Sequence, residues 1–126
     1  MSEKASDYEL RFFEKLALKN PDFADALVPL AELYTRRGLY EKGLQVDARL
    51  AQLRKDDPFV HYNLACSLAL VGKAEDAVRA LKRAIRLGYR DLEYMSRDPD
   101  LKSLHTASGF QKLLQQKSEG KNNEKT

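Results

Sequence analysis

The chain has 126 residues, enough for one domain with a real core and too few for two independent ones. With 43% apolar and 33% charged residues, its composition is that of a soluble globular protein and excludes a disordered polyelectrolyte. The formal charge of +3 is spread thinly, with lysine and arginine interleaved among glutamate and aspartate, which argues against a nucleic-acid surface.

The N-terminal "MSEKASDYEL" lacks the basic-then-apolar order of a signal peptide, and no apolar run approaches the roughly 18 residues that a membrane span needs. The lone cysteine, Cys66, has no internal disulfide partner, so the expected location is cytoplasmic. Leu10, Phe13, Leu16 and Ala17 then form an apolar stripe at helical spacing, ended by "NPD" at 20–22. From Leu27 the pattern becomes Leu27, Leu30, Ala31 and Tyr34, the i, i+3, i+4, i+7 spacing of one buried helix face. Gly38 marks a turn, and Tyr40, Gly43, Leu44, Asp47, Leu50 and Ala51 form a second stripe. Asp57 and Pro58 make an N-cap and first-turn pair, after which the pattern starts again. Its second occurrence is His61, Leu64, Ala65 and Leu68, a turn at Gly72, then Ala74, Ala77, Val78, Leu81, Ala84 and Ile85. Shifting the chain by 34 residues superposes Leu30 on Leu64, Ala31 on Ala65, Gly38 on Gly72, Glu41 on Glu75 and Arg49 on Arg83. A second shift places the Leu10 stripe on the second helix of a preceding half-unit. Two positions strain the first unit. Pro29 removes a helical hydrogen bond, and Asp47 puts a carboxylate at an apolar position, where it is expected to lie at the rim or to pair with an arginine.

The 34-residue period, the turn glycines and the small residues at 31, 65, 77 and 84 resemble the tetratricopeptide repeat over roughly residues 8–89. The resemblance is good over 58–91 and weaker over 24–57, where Gly43 and Asp47 depart from the pattern. It implies an all-α fold, a right-handed α-solenoid of antiparallel helix pairs with about two full repeats, a preceding half repeat and a C-terminal helical cap. The expected organisation is a single helical domain at 5–116, with repeats at 24–57 and 58–91, a cap at 92–116 and a disordered polar tail at 117–126. In the cap, Leu92 and Met95 precede an Asp98–Pro99 cap pair leading to Leu101 and Leu104. Thr106 then opens a last helix carrying Phe110, Leu113 and Leu114. The "DPDL" and F-x-x-L-L of this segment resemble the closing segment of bacterial tetratricopeptide proteins. Its physical task is to cover the bare face of the last repeat.

No catalytic, cofactor or metal site emerges. His61 and His105 are far apart and lack ligand company, Cys66 lacks a neighbouring base, and no phosphate-binding glycine motif occurs. The acids of "YRDLEYMSRDPD" read as a solvated face. The resemblance instead implies a non-catalytic protein–protein interaction module, an adaptor or assembly factor whose first helices line a concave groove for a peptide or helix of a partner protein. The candidate partner-binding residues, off the core stripe of those helices, are Val28, Glu32 and Thr35, then Phe59, Tyr62, Asn63, Cys66 and Leu70. Asn63 matches one position of the family's carboxylate-binding clamp, but Val28 and Glu32 stand where the clamp uses lysine and asparagine, and Asp25 and Glu32 favour a basic or mixed peptide. The alternatives are a homo-oligomerising repeat, with a second copy as the partner, and an RNA-binding array using Lys82, Arg83, Arg86 and Arg90.

Overall fold

The structure, a computed structural model, describes the backbone of residues 5–125 and the side chains of 7–116; the polar tail expected at 117–126 lies outside the described side chains. The described residues form seven α-helices and one 3-10 helix, with no strand. They divide into two compact units, Met1–Lys55 and Asp56–Thr126.

The first unit holds α1 (Ala5–Lys19), α2 (Ala24–Arg36) and α3 (Tyr40–Leu53). Leu10 of α1 joins Leu30, Leu33 and Tyr34 of α2 in a small core, with Phe13, Ala17 and Val46 packed against it. Pro29 is the sixth residue of α2, past the first turn, and the helix continues through it to Arg36 without the bond that its missing N–H would have made. The turn into α3 is closed by Gly38 at φ 75°, where any side chain would be strained, and by a bond from the Leu39 N–H to the Tyr34 carbonyl at 2.9 Å. At Gly43, α3 packs tightly on α2: a Cβ there would stand 3.2 Å from Thr35 Oγ1. Asp47 is buried rather than at the rim, and among the described residues no buried side-chain oxygen or nitrogen lacks a hydrogen-bond partner. Around the surface, Arg37 pairs with Asp7, Arg49 with Asp22 and Arg54 with Asp25.

The second unit holds α4 (Pro58–Leu70), α5 (Ala74–Arg86), α6 (Leu92–Arg97), a 3-10 helix (Pro99–Leu104) and α7 (Ser108–Lys125). Asp57 caps α4 through Oδ1, accepting from the N–H of Phe59 at 2.9 Å and of Val60 at 3.4 Å, as the Asp-Pro pair predicts. The turn at Gly72, φ 86°, repeats the Gly38 geometry, with the Lys73 N–H on the Leu68 carbonyl at 2.9 Å. Apolar residues almost ring α4, because α5 covers one side of it and the 3-10 helix another. In contrast, α5 is sharply two-faced: Ala77, Val78, Leu81 and Ala84 are buried, while Lys82, Arg83 and Arg86 are exposed. The cap closes this core. Met95, Leu101, Leu104 and Phe110 are completely buried, each contributing about 1.5–3 kcal/mol of apolar transfer before entropy is counted. α7 presses on α5 closely enough that a Cβ on Gly109 would stand 3.2 Å from Val78 Cγ1. Its first residue is Ser108, two later than Thr106 predicts; the Gln111 N–H bonds the Ala107 carbonyl, which places the cap at Ala107.

Candidate functional site

The sequence-predicted residues of the first unit lie on α2. Val28 is 42% exposed and Glu32 is exposed, whereas Thr35 is half-buried and donates its hydroxyl to the Ala31 carbonyl at 3.0 Å. Behind them, Tyr34 donates to Glu14 Oε2 at 2.6 Å, and burial, with that bond, pushes its phenol well above the ordinary range. The same unit carries a shallow cleft of about 470 Å³, whose apolar lining includes Leu18, Pro21, Leu27 and Val46, with Glu14 and Arg49 at its polar edges.

The predicted residues of α4 separate into two sets. Phe59 is 65% exposed and Asn63 is exposed on the next turn, with Leu70 half-buried further along the same side. Tyr62 and Cys66 are buried, a placement that differs from the groove-lining one expected of them. The reason is the cap. Tyr62 stacks on Tyr89, with ring centroids 4.3 Å apart and planes 4° from parallel, and donates its hydroxyl to Asp98 Oδ2 at 2.6 Å. The Cys66 thiol points at the same oxygen, 3.8 Å away. Burial, then the bond to Asp98, pushes the Tyr62 phenol far above its ordinary value and keeps it neutral.

Asp98 is therefore not the solvated acid that its sequence neighbourhood suggests. It is 5% exposed, and its other oxygen caps the 3-10 helix by accepting from the Asp100 N–H at 3.0 Å. Ligand atoms of Cys66, Asp98 and Asp100 fall within 4.8 Å of one another, but both oxygens of Asp98 already accept hydrogen bonds, so the cluster works as a latch that ties the cap to α4. Burial, followed by the charge of Asp98, raises the Asp100 carboxyl above the ordinary carboxylate range.

Sequence reasoning missed Tyr89 and Tyr94. The Tyr89 ring meets Phe59 edge-on at 6.0 Å while stacking on Tyr62, so it joins the exposed phenylalanine to the buried latch. Tyr94 is 41% exposed, and its phenol is raised first by the charge of Asp98, with burial and Asp100 adding to it. Two tyrosines within six residues of a repeat's end were the available signal. In the second unit, then, the exposed ring of Phe59 meets a buried, hydrogen-bonded aromatic stack, and exposed Tyr94 feels the charge of the same Asp98.

No family model matches the chain. A chloroplastic protein of Arabidopsis thaliana is 29% identical over 97 residues, which cover 72% of this chain. The chain spans only 28% of that protein's length. The crystal structure of MamA, a TPR-like helical protein, superposes with a TM-score of 0.72 over 94% of this chain and 73% of MamA, at 17% sequence identity. That likeness shows the fold. The chain is an all-α protein of TPR-like helical repeats, the class that the 34-residue period and the turn glycines predict. Among the described residues, no helix is long and apolar enough to cross a membrane.

Proposed function

We propose that the chain is a non-catalytic interaction module that holds a peptide or helix of a partner protein, and that α4 supplies the contact face in its second unit. The observation that carries this reading is Phe59, a large aromatic side chain left 65% exposed on a helix that is otherwise packed nearly all round. Rings of this kind anchor interfaces because they bring much apolar area at little cost in side-chain entropy. Asn63, one turn on, offers both a donor and an acceptor to a peptide backbone. Val28 and Glu32 on α2 are the corresponding exposed positions of the first unit.

The test is an array of short peptides covering acidic, neutral and basic sequences, probed with the labelled full chain and with a Phe59→Ala/Asn63→Ala variant. Both positions are exposed, so the variant keeps its helical spectrum and thermal midpoint, and it is expected to lose most of the spots that the wild type retains. Equal binding by the two proteins removes the α4 face as the site, and a blank array for the wild type removes the module reading. A second reading, self-association, is favoured by Tyr8, Phe12 and Leu18 of α1, exposed at 63%, 59% and 83%. Light scattering that shows a monomer at micromolar concentration removes it.

A further inference from the structure

The exposed rings of the second unit lie on segments with an excess of negative charge. The two segments that build it, residues 56–61 and 89–100, carry six carboxylates against the two guanidinium groups of Arg90 and Arg97, although the chain as a whole is at +3. Four of the carboxylates are tied to the elements that bear the rings. Asp57 caps the helix that bears Phe59, and Asp91 caps the one that bears Tyr94. Asp98 holds the Tyr62 end of the aromatic stack, and Asp100 lies within 4.8 Å of it. The phenol of exposed Tyr94 is raised, with the charge of Asp98 as first cause and burial and Asp100 adding to it, against the opposing charge of Arg97. Three further basic side chains of this unit, Lys82, Arg83 and Arg86, are exposed on α5.

We infer that the exposed rings of Phe59 and Tyr94 take a lysine- or arginine-bearing segment of another protein, whose cationic side chains lie over these rings while the nearby carboxylates neutralise them. This rests on the reading of α4 as a contact face and adds the chemistry of its occupant. Ring faces attract cations through their quadrupole, and a carboxylate beside the ring strengthens the attraction at short range. The same charges oppose an acidic tail, so discrimination by sign follows from the structure. Asp100 is the clearest electrostatic contributor to remove. Its carboxyl is half-buried beside Asp98, and its backbone N–H, not its side chain, makes the capping bond.

The experiment measures fluorescence anisotropy of three labelled peptides of equal length titrated with the full chain: alternating lysine and leucine, and its glutamate and glutamine counterparts. The lysine peptide is expected to bind with an affinity that falls as salt rises, and the glutamate peptide to show none. Phe59→Ala and Tyr94→Ala are each expected to weaken the lysine peptide by about fivefold or more. Asp100→Asn is expected to weaken it too, while its thermal midpoint stays level or rises, so that lost binding cannot be lost folding. Comparable binding of the lysine and glutamate peptides, or lysine-peptide binding that all three variants retain, overturns the inference. Glutamine-peptide binding abolished by Phe59→Ala, without preference for lysine, sinks the charge assignment and leaves the contact face standing. Silence from all three peptides sinks both. Dimerisation of the unliganded chain that Phe59→Ala abolishes names a second copy as the occupant and likewise overturns the inference.

Discussion

The two helical hairpins of this chain share a turn but not a core. Gly38 and Gly72 both adopt a positive φ and close the same bond pattern, yet among the described residues the second unit gathers fifteen buried ones into one cluster and the corresponding cluster of the first has four. The large side chains left exposed run the other way: Tyr8, Phe12, Leu18, Phe23, Val28, Leu39 and Tyr40 in the first unit, Phe59 and Tyr94 in the second. The difference lies in the cap. A repeat cannot bury its outer face alone, and α6, the 3-10 helix and α7 do this for α4 and α5. The exposed rings of the second unit, Phe59 and Tyr94, are thus exceptions in an otherwise closed structure.

If the cap closes the second core, breaking it gives the largest effect. Phe110→Ala, at a completely buried position, is expected to cost about 3–5 kcal/mol, read from urea unfolding. A loss below about 1 kcal/mol would mean that α7 is dispensable and the comparison misplaced.

The latch gives the next effect, and both units contain a version of it. Tyr62 and Tyr34 each donate to a carboxylate at 2.6 Å, but Asp98 is buried and Glu14 only half-buried. Tyr62→Phe deprives a buried acceptor of a donor and is expected to cost about 1–3 kcal/mol, and Tyr34→Phe less, because water reaches Glu14. The pH dependence has a definite sign. The folded Tyr62 phenol is raised above its ordinary 10.0, so the unfolded chain ionises first. Its contribution is complete below pH 10 and lost progressively above it. Wild-type stability should fall as the pH rises above about 10, and Tyr62→Phe should flatten that fall; equal slopes would show that the phenol is not the group held neutral.

These particulars show what was legible in the sequence. Helices, turns and the cap's apolar residues could be read, because periodicity, positive-φ glycines and Asp-Pro pairs are local signals. The site was half legible. Phe59 and Asn63 were placed on the exposed side by helical spacing alone, whereas Tyr62 and Cys66 were buried by residues more than thirty positions away. Asp98 shows the limit most sharply: its role as a cap is written in the following proline, but its second bond, to Tyr62, depends on how the chain folds back. No period within either helix carries that information.

The smallest effect tests the first hairpin at its tight contact around Gly43. Gly43 occupies the place that Ala77 fills in the second unit, and a methyl group there would stand 3.2 Å from Thr35 Oγ1, with the next neighbours at 3.7 and 3.8 Å. Two forces compete: alanine is favoured over glycine inside a helix by about 1 kcal/mol, and the crowded hydroxyl, tied to the Ala31 carbonyl, resists displacement. In wild type they offset, so Gly43→Ala alone should change stability little. In a Thr35→Ala background the crowding atom is gone, and Gly43→Ala should then stabilise by about 0.5–1 kcal/mol in urea unfolding. Equal effects in both backgrounds would show that Thr35 is not what keeps residue 43 small, and that the first hairpin's departure from the second has its cause elsewhere along α3.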